Sequence, residues 1–242
     1  MPVNSRLGAL TAACLLLGTC AESARAAEVP AVVTEQQLVE LLGPHLVRSA
    51  PRRGARLVAS VRATRPITGV RTVLPVLGQR IDGANRFWLR VRLPGRTLRG
   101  RRPPRSGWII AAHTTLTTTP WRIVVDVGAR RLSVYDGGAL VRRFRAIVGK
   151  PSTPTPRGAF FVEESVRMAP GAPGAPYALA LSARSNVLQE FAGGPGQIAV
   201  HGVANIGGTM GSAVSHGCVR LTGQAVSWLA ARMHPGVPVT IE

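Results

Sequence analysis

The feature that most constrains the fold is the repeated burst of short, strand-like apolar segments cut by turn residues. "ARLVASVRA", "RTVLPVLGQ", "RFWLRVRL" and "SGWIIAAHT" fill residues 55–117, with Asp82-Gly83 and Pro94-Gly95 among the turns between them. Strands this short and closely spaced predict a small all-β barrel. Trp88 and Trp108 are candidate core anchors, and "RTLRGRRPPRSG" is a basic loop between two strands. From residue 118 the β pattern continues through "RIVVDV", "RRLSVY", "GAFFVEESV", "YALALSAR" and "GQIAVHG" to a closing "VPVTIE". In "RIVVDV", Ile123, Val125 and Val127 alternate with Arg122, Val124 and Asp126, and "DGG" at 136–138 is a hairpin turn signal. One segment has a clear helical period: "TGQAVSWLAARM" places Val226, Leu229 and Met233 on one face behind a Thr222 cap. A second helix is predicted in "TEQQLVELLG", where Thr34 and Gln37 form a capping box before Leu38, Leu41 and Leu42. The expected class is mainly β, with one or two helices. "MAPGAPGAPY", residues 168–177, is a surface loop over or beside something.

The N-terminus divides the chain further. Arg6, an apolar run from Leu7 to Leu17 and "ARAA" have the layout of a secretory signal peptide over residues 1–26. The run is shorter than the roughly 20 residues a spanning helix needs, and no other run in the chain could span a bilayer. Thr19 disfavours a lipoprotein signal ending at Cys20. Residues 27–54 then carry the short helix and a basic linker, "RSAPRRGAR". The formal charge is +19, nearly all from arginine, since Lys150 is the only lysine. Such a surface is drawn to polyanions. Export argues against nucleic acid and for an anionic cell envelope, in the periplasm or the wall.

Export also removes Cys14 and Cys20, leaving Cys218 in "VSHGCVRL" and no intramolecular disulfide. A thiol attacks as thiolate and needs an imidazole or a positive charge nearby. It also needs donors for the oxyanion formed at the attacked carbonyl. His201, at the end of "QIAV", is a candidate base; "SHGC" offers backbone N–H groups at His216, Gly217 and Cys218. Arg220 could hold a substrate carboxylate or support the site. A lone cysteine can equally be a buried small hydrophobe. Zinc on His201, His216 and Cys218 lacks the usual C-x2-C or H-x3-H spacing, and no G-x-S-x-G elbow is present for a serine hydrolase.

"VSHGCVRL" preceded by "IAVHG" resembles the active-site signature of L,D-transpeptidases, the YkuD-type catalytic domain. "RRLSVYDGG", "VGKPSTPTPRGAF" and "GVPVTI" extend the resemblance over residues 118–242. "W-L-R-V-R-L-P…G-W-I" in 55–117 is similar to bacterial SH3-like modules. The first resemblance implies Cys218 as nucleophile, His201 as general base, Ser215, His216 and Gly217 as the preceding motif, and Arg220 as the following arginine. Gly202, beside the base, stands with Arg220 as a candidate substrate contact. The implied reaction releases D-alanine from a peptidoglycan tetrapeptide stem and joins two stems by a 3→3 cross-link through a thioester, with no metal or cofactor. Hydrolysis of the thioester, as in an L,D-carboxypeptidase, and a non-catalytic wall-binding protein are the alternatives. The SH3-like module and the arginines would hold the protein on anionic wall polymers.

Overall fold

The computed structural model describes Met1 and residues 34–190 and 193–242. The signal peptide expected at 1–26 lies outside the described residues. No helix among them is long and apolar enough to cross a membrane.

The first half is a seven-stranded sheet. Its strands are β1 (Gln36–Leu41), β2 (His45–Arg48), β3 (Leu57–Val61), β4 (Val73–Ile81), β5 (Phe87–Arg92), β6 (Ser106–Ile110) and β7 (Thr114–Thr119). They run in the order β3-β2-β6-β5-β4-β1-β7, each pair antiparallel. Val39, Leu41, Leu74, Leu89, Val91 and Ile109 form its core. Trp88 is also fully buried, and its indole N–H is held by Asp82; Trp108 is half-buried.

The helix predicted in "TEQQLVELLG" is absent, because that segment is β1. An isolated helix so short is marginal in water, and most of its stability must come from packing. Here β4 on one side and β7 on the other satisfy the backbone instead. Val39 and Leu41 enter the core at two-residue spacing, while Leu42, counted in the helical stripe, is exposed. The basic linker is likewise built into the sheet: "RSAPRRGAR" contains the turn from β2 to β3, closed by Ser49 N–H to the Arg56 carbonyl and by the Arg48 guanidinium on the Ala55 carbonyl.

The second half is a curled half-barrel. Its strands are β8 (Trp121–Asp126), β9 (Arg131–Asp136), β10 (Ala139–Arg145), β11 (Val148–Gly149), β12 (Gly158–Arg167), β13 (Tyr177–Arg184), β14 (Gln197–His201), β15 (Ala213–Ser215), β16 (Val219–Arg220) and β17 (Pro238–Ile241). Eight form a mixed sheet in the order β10-β9-β8-β17-β12-β13-β14-β16, and β11 pairs with β15. Gly137 and Gly138 turn β9 into β10 with φ of 54° and 86°, the left-handed region that a two-residue hairpin loop requires. The single helix among the described residues, α1 (Gly223–Ala230), is capped by the Thr222 hydroxyl accepting from Ala225 N–H, and it buries Ala225, Val226 and Leu229.

The two sheets meet along β12. Phe161 stays paired with Pro238 in its own sheet, but its side chain packs in the N-terminal core. A bulge follows: Val162 pairs with Leu181 but Glu164 pairs with Ala180, so Glu163 is the extra residue. Both acids are buried. The Glu163 carboxylate accepts from Arg65, from Arg184 Nη2 at 3.1 Å, from Gly95 N–H at 3.0 Å and from Gln197 Nε2 at 3.0 Å. Glu164 accepts from Thr68 N–H and its hydroxyl. Two donors to Glu163, Arg65 and Gly95, come from the N-terminal half, and two, Arg184 and Gln197, from the half-barrel. The boundary between halves is therefore a shared polar and apolar core.

Candidate active site

The site follows from the alternation of β14 and its register with β16. Ile198 and Val200 point into the core, so Gln197, Ala199 and His201 take the opposite face. Strand β16 runs parallel to β14, with Val200 opposite Val219 and His201 opposite Arg220. Val219 is buried beside Val200. Its neighbours Cys218 and Arg220 therefore project to the same face as His201. Seventeen residues apart in sequence, His201 at the end of β14 and Cys218 just before β16 come to one face, two residues apart in the register of the pair.

Each side chain is held by short-range bonds. The His201 Nδ1 lies 2.8 Å from the Gly202 carbonyl. A carbonyl only accepts, so the proton of the neutral ring sits on Nδ1 and Nε2 keeps its lone pair. Gly202 is itself fixed, donating its N–H to the Gly174 carbonyl at 2.8 Å. A side chain at 202 would run into the Ala175 carbonyl, and one at Gly174 would come within 2.7 Å of Nδ1. The 168–177 loop thus backs the imidazole, and the "something" it lies beside is the ring of His201. Gly202 is buried here and orients the base.

Cys218 is half-buried. Its Sγ lies 3.9 Å from the Gln197 carbonyl, the acceptor for the thiol proton, and it receives a backbone hydrogen bond from Ala199. Burial pushes the thiol pKa up, against the lesser opposing effects of Ala199 and the Arg220 charge. Burial pushes the His201 pKa down; the Gly202 carbonyl opposes this, and Arg220 adds to it. Both shifts favour a neutral thiol beside a neutral imidazole, not a preformed ion pair.

The turn before Cys218 is built by Ser215. Its fully buried hydroxyl donates to the Cys218 carbonyl at 2.6 Å and accepts from Gly217 N–H at 3.1 Å. Gly217 has φ of 117°, which favours glycine. The Gly217 N–H expected as an oxyanion donor is thus engaged by Ser215. The Cys218 N–H, in contrast, meets no acceptor among the described residues. Lys150 N–H and the Thr153 hydroxyl close on the Ser215 carbonyl from below, so "VGKPSTPTPRG" is the platform of this turn. His216 is exposed. Arg220 exchanges two backbone hydrogen bonds with Ile147, and its Nη1 reaches the Ile206 and Gly207 carbonyls at 3.4 and 3.3 Å. Its Nε is buried without a partner.

Sequence reasoning missed Gln197, whose backbone carbonyl faces the thiol and whose side chain reaches Glu163 and the Leu181 carbonyl. It also missed Glu163. The available signal was the acidic pair inside the apolar "FFVEESV", in a chain with only 11 acids. No group of three His, Cys, Asp or Glu side chains suited to a metal occurs among the described residues.

A family model, the L,D-transpeptidase catalytic domain YkuD, matches residues 120–241, half of the chain. The chain belongs to this family, whose membership implies a peptidoglycan substrate and an extracytoplasmic location. It is 34% identical over 124 residues to a Bacillus licheniformis protein named "Putative L,D-transpeptidase YkuD", covering 51% of this chain and 67% of that one. The Bacillus subtilis protein of the same name is 32% identical over 124 residues, with the same shares covered. A solved L,D-transpeptidase from Mycobacterium smegmatis is 22% identical, with a TM-score of 0.40 over 65% of this chain and 90% of that one.

Proposed function

We propose that the chain is a peptidoglycan L,D-transpeptidase that forms 3→3 cross-links through a Cys218 thioester. The observation that carries this reading is the shared face of Cys218 and His201 on paired strands, with His201 Nδ1 committed to Gly202. Nε2 then takes the thiol proton as Sγ attacks the carbonyl of the third stem residue. A neutral thiol suits this sequence, because the charge forms only when substrate is in place. The Cys218 N–H stabilises the oxyanion. D-Alanine leaves with the proton held by His201, and a thioester remains. The side-chain amine of a second stem gives a proton to His201 and displaces the sulfur, and His201 passes that proton to the departing thiolate, restoring the neutral pair.

Arg220, opposite His201 in register, holds the 206–207 loop, and its charge and unpartnered Nε suit a stem carboxylate. The high arginine content suits retention in an anionic envelope after export, with the N-terminal sheet contributing to wall contact. The test is incubation with purified tetrapeptide stems. Stoichiometric D-alanine with a cross-linked dimer is expected, and Cys218→Ala should make neither. Tripeptide with no dimer would assign the thioester to water, as in a carboxypeptidase; full turnover by Cys218→Ala would overturn the reading.

A further inference from the structure

The basic loop between β5 and β6 has no part in the chemistry above. It folds against the start of β12 and the end of β13, and between them lies a cavity of about 220 Å3. Six arginines line it, Arg92, Arg96, Arg102, Arg105, Arg157 and Arg184, and no acidic residue does. Two are consumed internally. Arg96 donates to the Pro195 and Leu188 carbonyls, and Arg184 to three carbonyls and Glu163.

The other four are left largely unsatisfied. Arg92 gives one bond to the Ala159 carbonyl, and Arg102 gives one to Asn186 Oδ1. The Arg105 and Arg157 side chains bond no group among the described residues. Burial lowers the pKa of Arg92, and the nearby Arg105 charge lowers it further. Arg92 is half-buried and Arg102, Arg105 and Arg157 are exposed around it, and like charges gathered around one recess with no carboxylate among them repel unless an anion sits there. Pro103 and Pro104 in the loop and Pro156 opposite stiffen the walls, which limits the ordering cost of holding a ligand.

We propose that this cavity binds a phosphate group carried on an anionic polymer. Four guanidinium forks offer far more N–H donors than the two oxygens of one carboxylate can take up. A tetrahedral phosphate presents its oxygens in several directions and can bridge more than one fork. The positive charge does not end at the rim: Arg99 and Arg101 are exposed on the same loop, so successive phosphates of a polymer meet further cations. This site shares no residue with the Cys218 chemistry and does not rest on it.

The test is calorimetric titration of the full chain, at fixed ionic strength, with poly(glycerol phosphate), inorganic phosphate and polygalacturonate. The phosphate polymer should bind at least tenfold more tightly than either other probe. Arg92→Gln with Arg105→Gln should weaken polymer binding at least tenfold, and Arg102→Gln, at an exposed position that leaves the fold intact, at least threefold. Cys218→Ala should bind as the parent does. Unchanged polymer binding in the Arg102 variant, or polygalacturonate binding as tightly as the phosphate polymer, would overturn the proposal. Inorganic phosphate binding as tightly as the polymer would assign the cavity to the free ion and overturn the polymer assignment.

Discussion

Replacing Glu163 by Gln removes one negative charge from a place where it neutralises two cations. The Glu163 side chain is 0% exposed, and those of Arg65 and Arg184 are 11% and 7% exposed. Gln keeps the shape and can still accept from Gly95 N–H, but it leaves the Arg184 guanidinium buried without a counter-charge and Arg65 with Glu164 alone, at 4.0 Å. Removing one partner of a buried ion pair costs about 3–5 kcal/mol. For a chain of this size each kcal/mol lowers Tm by roughly 2–4 °C, so a fall of roughly 6–20 °C is expected. Glu164→Gln is the internal control. Its carboxylate serves neutral Thr68 donors, with Arg65 Nε only at 4.0 Å, so its loss should be about 1–3 kcal/mol. Urea unfolding followed by tryptophan fluorescence measures both. Activity should fall with Glu163→Gln even well below its Tm, because Gln197 loses the carboxylate that anchors it beside the thiol. A change under about 1 kcal/mol for Glu163→Gln, or a larger loss for Glu164→Gln, would refute the reasoning.

Gly202→Ala should lower kcat by about a hundredfold or more, since the added carbon displaces Ala175 and with it the partner of His201 Nδ1; steady-state kinetics on tetrapeptide stems measures this. Ser215→Ala removes both bonds of the nucleophile turn and should cost about 1–3 kcal/mol of stability, read by thermal unfolding, with kcat falling more than KM changes. The pH dependence of kcat/KM should show its acid limb below the ordinary histidine range: burial lowers the His201 pKa, and the neutral form is the base, so activity is retained as pH falls until that lowered value is passed. Alkylation of Cys218 by iodoacetamide without substrate should be slow at neutral pH and rise with pH above the ordinary thiol range, because burial holds the thiol protonated.

Local patterns revealed the parts of this molecule whose causes are local. The Thr222 cap and the Val226 and Leu229 spacing placed α1, and "DGG" placed the β9–β10 hairpin. His201 was legible as the residue ending the apolar strand "QIAV", while its face, opposite the core, follows from the burial alternation of β14. "TEQQLVELLG" misled because its apolar residues fit a helical stripe and a two-residue alternation alike; only pairing with β4 and β7, remote in sequence, decides for a strand. The role of Ser215 was legible as motif membership but not as mechanism, since its hydroxyl bonds depend on the left-handed turn at Gly217. Glu163 and Gln197 were illegible for a different reason. Glu163 takes Arg65 and Gly95 as partners from the other half of the chain, Gln197 is held in turn by Glu163, and a bulge at one residue turns Glu163 and Glu164 inward.

The central claim is that Cys218 becomes acylated by the donor stem with His201 as its base. Intact-protein mass spectrometry after rapid mixing with a tetrapeptide stem, quenched in acid, tests it most directly. A mass gain equal to the tripeptide acyl group is expected, located by peptide mapping on Cys218, absent in Cys218→Ala and greatly slowed in His201→Gln. Turnover without any adduct on Cys218, or acylation at full rate in His201→Gln, would contradict it.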